Sequence, residues 1–196
     1  MKEEVRSLLM AGVGGQGILR ASDILCEVMM EEGYDVKKSE VHGMAQRGGC
    51  VTSHVLFGRK VYSPLAKKGD VDIFLSFEKM ETLRYLDYLK ENGLVIINIE
   101  EIYPPSVNLG DVPYPQDVIH RVFDLFKTAV SVDAGDLANQ AGNRRTSNTA
   151  LLGVLSNYLD LDISSWEKVL KKSFPEKTVG VNLKAFRLGR KLFNDQ

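Results

Sequence analysis

Cysteine is scarce in this chain of 196 residues, where Cys26 and Cys50 are the only two. They fall in different predicted elements with no Cys-x-x-Cys spacing, so the chain cannot by itself supply the four thiolates of an iron–sulfur cluster. A disulfide between them is disfavoured in a reducing cytosol. Cys26, on the apolar side of a helix pattern, is expected to be plain core. An excess of either charge is also lacking. With 25 basic and 26 acidic residues and a net charge of −1, no global field draws the protein toward nucleic acid or an anionic membrane. No apolar run approaches the roughly 18 residues of a membrane span. The charged start, Met1 to Arg6, runs into a short apolar stretch without the long h-region of a secretory signal. These absences lead us to expect a cytoplasmic protein with neither nucleic acid nor membrane as partner, and no metal site is read from the sequence.

What is present is enough apolar material, 44% of residues, to bury one substantial core, so a single α/β domain over residues 1–196 is expected. Val5 to Val13 reads as a buried strand. Ile18, Ala21, Leu25, Val28 and Met29 share one face of a helix that Gly33 stops, and Tyr34 to Glu40 reads as a second strand, parallel to the first by the right-handed crossover rule. Val51, Ser53, Val55 and Phe57 alternate with the residues between them. Gly58-Arg59-Lys60 then separates them from Val61-Tyr62, which suggests an inserted β-hairpin. Further strands are expected at Val71 to Phe77, Leu94 to Ile99 and Val130 to Val132, with helices over Glu78 to Glu91 and Gln116 to Lys127. Proline and Gly110 make Tyr103 to Pro115 irregular. The last third is helical, over Thr146 to Leu159, Ser164 to Ser173 with Ser164 as N-cap, and Asn182 to Phe193. The fold expected is an open, mostly parallel Rossmann-like sheet with an inserted hairpin and a helical C-terminal region.

Chemistry concentrates at two glycine-rich loops. Gly12-Val13-Gly14-Gly15-Gln16-Gly17 satisfies G-x-G-x-x-G between a strand and a helix. Glycines let the backbone approach a ligand, and the unpaired N–H groups and positive dipole end of the helix favour an anion such as a phosphate. Gly12, Gly14, Gly15, Gln16 and Gly17 are therefore cofactor-binding candidates. Two other readings stand beside this one: glycines that only let helix pack on strand, and a nicotinamide dinucleotide site in which Glu40 meets the ribose, although Lys37 and Lys38 favour phosphate there. His54, on a strand, and His120, on a helix, read as structural or surface residues.

The second loop is more specific. Ser39-Glu40-Val41-His42-Gly43-Met44-Ala45-Gln46-Arg47-Gly48-Gly49, together with Gly12 to Ile18, resembles the small subunit of indolepyruvate:ferredoxin oxidoreductase. That subunit is equivalent to the gamma domain of the wider pyruvate and 2-oxoacid:ferredoxin oxidoreductase family. The likeness continues through Val61 to Pro64, Phe77-Glu78, Leu83 to Leu86, and Asn143 to Gly153 with Asn148. Val13-Gly14-Gly15-Gln16-Gly17 and Gln46-Arg47-Gly48 stand where pyruvate-type gamma domains carry Arg-Gly-Gly-Gln-Gly and Arg-Arg-Gly, which favours the indolepyruvate branch.

The resemblance implies a complex that decarboxylates a 2-oxoacid on thiamine diphosphate, passes electrons through iron–sulfur clusters to ferredoxin and forms an acyl-coenzyme A. The chain lacks the Gly-Asp-Gly of thiamine enzymes, so thiamine diphosphate, magnesium and [4Fe-4S] clusters are expected in a large partner subunit, with coenzyme A as co-substrate. The chain is not expected to be active alone, and no cofactor is expected to be bound by it alone. His42, Gln46, Arg47, Gly48, Gly49 and Asn148 are candidates for contact with substrate or partner, and His42 is the one possible catalytic group. Arg47 offers a planar fork for carboxylate or phosphate. Arg144 and Arg145, just before the helix holding Asn148, could meet an anion or a partner carboxylate, or stand equally well as a solvated pair, and the basic run Lys184, Arg187, Arg190 and Lys191 reads as a solvated helix face.

Overall fold

The computed structural model describes residues 4–43 and 49–193. Along the chain follow β1 (Arg6–Val13), α1 (Ile18–Glu31), β2 (Asp35–His42), β3 (Cys50–Gly58), β4 (Val71–Ser76), α2 (Lys79–Tyr85), β5 (Leu89–Asn98), α3 (Pro105–Asn108), α4 (Val118–Leu125), β6 (Val130–Val132), α5 (Ala134–Ala141), α6 (Ser147–Leu155), α7 (Ile163–Ser173) and α8 (Glu176–Lys191). The strands form one sheet in the order β2-β3-β1-β4-β5-β6. β1, β4, β5 and β6 pair in parallel, while β3 runs antiparallel to both of its neighbours.

Two sequence expectations change here. β2 does run in the same direction as β1, as the crossover rule requires, but it does not lie beside it, because β3 is inserted between them. The hairpin is therefore β2–β3, not β3 with Val61-Tyr62. Val61 is buried against the sheet, whereas Tyr62 is 88% exposed and in no strand. The physical reason lies in polarity. β2 reads Asp-Val-Lys-Lys-Ser-Glu, a composition suited to an outer strand that blunts its free edge with charge. β3, by contrast, is buried at every position from Thr52 to Gly58, as an interior strand must be.

Helices cover the two faces unequally. On one, α1 and α5 to α8 pack an apolar core in which Trp166, Phe186, Met10 and Leu25 are fully buried. On the other, α2 and α4 cover a smaller cluster around Leu9, Phe74, Val95 and Val122. α6 and α8 touch backbone to backbone. A Cβ added at Gly153 would sit 2.0 Å from the Phe186 carbonyl oxygen, and one at Gly189 would sit 2.0 Å from that of Ala150. No side chain fits at either position.

Helix limits also differ from the sequence reading. α2 stops at Tyr85, and β5 starts early, at Leu89, with a register irregularity opposite Val71 and Ile73. α8 starts at Glu176, because Pro175 serves as its N-cap. Ser164 is not the cap of α7. Asp162 is, and its side chain accepts from the Ser164 N–H at 3.0 Å. Among the described residues, no helix is long and apolar enough to cross a membrane.

Candidate functional site

β1 brings the chain to the carboxyl edge of the sheet, where ligands bind in open α/β folds. There Gly17 takes a left-handed conformation, φ 79°, as N-cap of α1, and offers no side chain to satisfy the first N–H groups of the helix. Gln16 turns inward. Its Oε1 accepts from Val13 N–H at 2.8 Å, while its Nε2 donates to the Phe77 carbonyl at 2.7 Å and to Glu100 Oε2 at 3.1 Å. One amide thus ties together the ends of β1, β4 and β5.

The first and last glycines of the motif serve packing. A Cβ at Gly12 would come 2.7 Å from Phe77 Cβ, and one at Gly17 would come 2.6 Å from Asn148 Nδ2. Asn148 is 8% exposed; its Nδ2 donates to the Gly17 carbonyl at 3.3 Å, and its Oδ1 accepts from Thr149 N–H at 2.9 Å. The close-packing reading therefore holds at Gly12 and Gly17. Gly14 and Gly15 line an open cleft, which Gly17 borders as well, and a Cβ at Gly15 would meet nothing within 4 Å.

That cleft has a volume of about 680 Å³ and is lined by Val13, Gly14, Gly15, Gln16 and Gly17 on one side and by Glu100, Ile102, Arg144, Arg145, Ser147 and Asn148 on the other. The first turns of α1 and α6 both border it; the unpaired N–H groups and positive dipole end of α1 face this space, whereas at α6 the Ser147 and Thr149 N–H groups already bond to the Arg144 carbonyl and to Asn148 Oδ1. Arg144 and Arg145, in the 3-10 turn before α6, add two exposed guanidinium groups. Arg144 Nη2 lies 3.5 Å from Glu100 Oε1, whereas the Arg145 side chain has no partner among the described residues. Despite Glu100, the helix end of α1 and the two guanidinium groups make the cleft chemically suited to an anion. A cavity of about 770 Å³ at the opposite, amino edge mixes Arg6 and Lys90 with Asp72 and Glu91. Lys90 and Asp72 there already bond to each other at 2.8 Å, so that cavity has no comparable preference for an anion.

The other sequence candidates sort as follows. Gln46, Arg47 and Gly48 lie outside the described residues. His42 ends β2, and its side chain also lies outside what is described. Gly49 reaches the first loop directly, its carbonyl accepting from Gly14 N–H at 2.8 Å. Glu40 does not approach the glycine loop in the manner of a ribose acid. With β3 between β2 and β1 it stands one strand spacing, about 5 Å, farther out than in a Rossmann sheet, and it pairs with Lys38 at 2.5 Å. Cys26 is buried, and burial pushes its thiol up to about 12. His54 is buried against the Tyr88 ring, and desolvation lowers its pKa. His120 is exposed beside Asp124. In the basic run, Arg187 pairs with Glu167 at 2.7 Å, and Arg190 reaches Ser156 Oγ at 3.0 Å.

Glu78 carries a role that the sequence reading did not assign. It is fully buried, and its carboxylate accepts from Glu81 N–H at 2.8 Å, Ile102 N–H at 3.2 Å and Tyr114 O–H at 2.6 Å. It thereby caps α2 and holds the segment after β5 against it. Apart from its place in the family likeness, the sequence signal was an acidic residue at the end of a buried strand and one position before a helix, which is an N-cap position.

A family profile described as pyruvate ferredoxin/flavodoxin oxidoreductase matches residues 7–192. The chain is 41% identical over 190 residues to the indolepyruvate oxidoreductase subunit IorB of Thermococcus kodakarensis, covering 94% of each chain. Its fold is similar to that of the pyruvate oxidoreductase subunit PORC of Thermotoga maritima, with a TM-score of 0.72 at 23% identity and 96% of each chain covered. It is also similar to part of the 2-oxoglutarate:ferredoxin oxidoreductase of Magnetococcus marinus, solved with 2-oxoglutarate, coenzyme A and succinyl-CoA bound. There the TM-score is 0.77 at 20% identity; all of this chain is covered, but it spans only 32% of the other.

Proposed function

The chain belongs to the pyruvate ferredoxin/flavodoxin oxidoreductase family, and from that premise we propose that it is the small subunit of a 2-oxoacid:ferredoxin oxidoreductase of the indolepyruvate type, working as one domain over residues 1–196 in the cytoplasm. The complex oxidatively decarboxylates an arylpyruvate, forms the acyl-coenzyme A and reduces ferredoxin. Thiamine diphosphate, magnesium and [4Fe-4S] clusters belong in this reading to a large partner subunit, since two separated cysteines are too few for a cluster. Those groups supply the carbanion and electron-transfer chemistry.

The work of this chain is to bind and orient coenzyme A. The observation that carries this reading is the cleft in which the first turns of α1 and α6 meet Arg144 and Arg145. Coenzyme A is a polyanion, and its phosphates suit Arg145 and the free N–H groups at the start of α1. Gln16 fixes the shape of the loop from behind, and Glu100 holds Arg144 at the rim. His42, Gln46, Arg47, Gly48 and Gly49 would meet the substrate or the partner from the adjoining loop, whose Gly49 carbonyl bonds to Gly14.

The test is co-expression with the large subunit and an assay of arylpyruvate-dependent reduction of ferredoxin or a viologen dye. Arg145→Ala should raise the KM for coenzyme A by about tenfold, the loss of roughly one charge-assisted hydrogen bond, while leaving the KM for the 2-oxoacid unchanged. An unchanged coenzyme A KM removes the coenzyme assignment. A complex that oxidises only pyruvate removes the indolepyruvate assignment.

A further inference from the structure

The segment between β5 and α4, residues 99–117, contains four prolines and four acidic residues, Glu100, Glu101, Asp111 and Asp117, and no basic residue. Such a composition ordinarily gives a solvated, variable loop. Here both of its ends are fastened to one buried carboxylate, because Glu78 Oε1 accepts from Ile102 N–H at 3.2 Å and from Tyr114 O–H at 2.6 Å. The fastening is reinforced. The Tyr114 oxygen accepts from Met80 N–H at 3.1 Å, the Tyr103 and Tyr114 rings lie 4.9 Å apart, and Glu101 pairs with the nearly buried Lys79. What is held out from this base is apolar. Leu109 is 78% exposed, and Val112, Tyr103 and Ile99 are each more than two-fifths exposed.

Burying a carboxylate is costly unless it is fully hydrogen-bonded. Glu78 meets that condition by organising a loop whose apolar side chains face water. The loop adjoins the cleft at the carboxyl edge, since Glu100 and Ile102 belong to both. We propose that residues 102–114 form a preorganised docking element for the large partner subunit, with Leu109 and Val112 as its apolar anchors and Glu78 as the positioning residue that holds the element in shape. The occupant is argued from two features together: continuity with the cleft, and the Magnetococcus chain, in which this fold is only 32% of a longer polypeptide. Preorganisation removes the cost of ordering a loop on binding, which is how an apolar tip of this size contributes to affinity.

This inference rests on the partner reading given above, and the experiment separates the two. The purified chain is titrated with the tagged large subunit by calorimetry, comparing wild type with Leu109→Asp, Glu78→Gln and, as control, Tyr62→Asp, whose ring is exposed on the loop between β3 and β4. Leu109→Asp should weaken assembly more than tenfold with an unchanged melting temperature, and Tyr62→Asp should have no effect. Glu78→Gln should weaken assembly and raise amide hydrogen exchange across residues 102–114 with Leu109 intact. If wild type binds and Leu109→Asp binds equally well, the docking element is refuted while the partner reading stands. If wild type does not bind, the partner reading itself fails. If light scattering shows a wild-type homodimer that Leu109→Asp dissociates, the occupant is a second copy and the proposal is overturned.

Discussion

On one face of the sheet, α1 and α5 to α8 bury a large apolar core, its buried Thr149 donating to Asn182 Oδ1 at 2.8 Å; on the other, the smaller cluster under α2 and α4 adjoins Glu78, Glu81, Thr82, His54 and Tyr114. The first face is held chiefly by area removed from water, a force without direction. The second is held partly by hydrogen bonds that fix distance and angle, and its polar groups contact the segment leading from β5 to the cleft. Stability is concentrated on one side of the molecule and the positioning of loops on the other.

Three substitutions measure how far that contrast goes. Phe186→Ala on the apolar face should cost about 3–5 kcal/mol by chemical denaturation, because Phe186 is fully buried beside Trp166. A loss below about 2 kcal/mol would mean that this face is not where stability resides. Tyr114→Phe on the polar face keeps the ring and removes only the hydroxyl that links Met80 N–H to Glu78. It should cost about 1–2 kcal/mol and should also loosen the 102–114 segment in hydrogen exchange, an effect Phe186→Ala lacks at matched stability. The smallest effect has the opposite sign. Glu81 is 3% exposed, and its Oε2 has no hydrogen-bond partner while Oε1 pairs with Arg84 at 3.2 Å. Desolvation raises its pKa above 4.5, aided by Glu78 and opposed by Arg84. The folded state therefore holds this proton more tightly than the unfolded one. The stability it contributes is complete below about pH 4.5 and lost as pH rises through the folded-state value. Glu81→Gln should flatten that decline and stabilise the protein slightly at neutral pH, by up to about 1 kcal/mol. A wild-type decline that Glu81→Gln leaves untouched would assign the pH dependence to another group.

The same contrast explains what the sequence disclosed. Elements whose signal is local were legible: β1 and α1 follow from a buried run, a glycine turn and a 3.6-residue apolar stripe, and β6 falls at Val130–Val132 as expected. Pairing was not legible. The Lys-rich polarity of β2 marks an edge strand, yet nothing nearby announces that β3, arriving later, will slide between β2 and β1. The glycine motif located one wall of the cleft. The other wall depends on Asn148 meeting Gly17 across 131 residues, a contact no window of sequence contains. Glu78 stood in the sequence only as part of a family likeness; its role was not legible because its partners at Ile102 and Tyr114 are brought to it only by the completed fold.

The reciprocal glycines at 153 and 189 give the cleft a history as well as a shape. α6, whose first residues line it, is seated against α8 without intervening side chains, and α8 follows it in the chain. The glycine motif therefore meets its opposite wall only after the 131 residues that separate Gly17 from Asn148, and α8 beyond them, have been made. An anion bound between the two would reward assembly of both walls, since it binds only a state in which both are present.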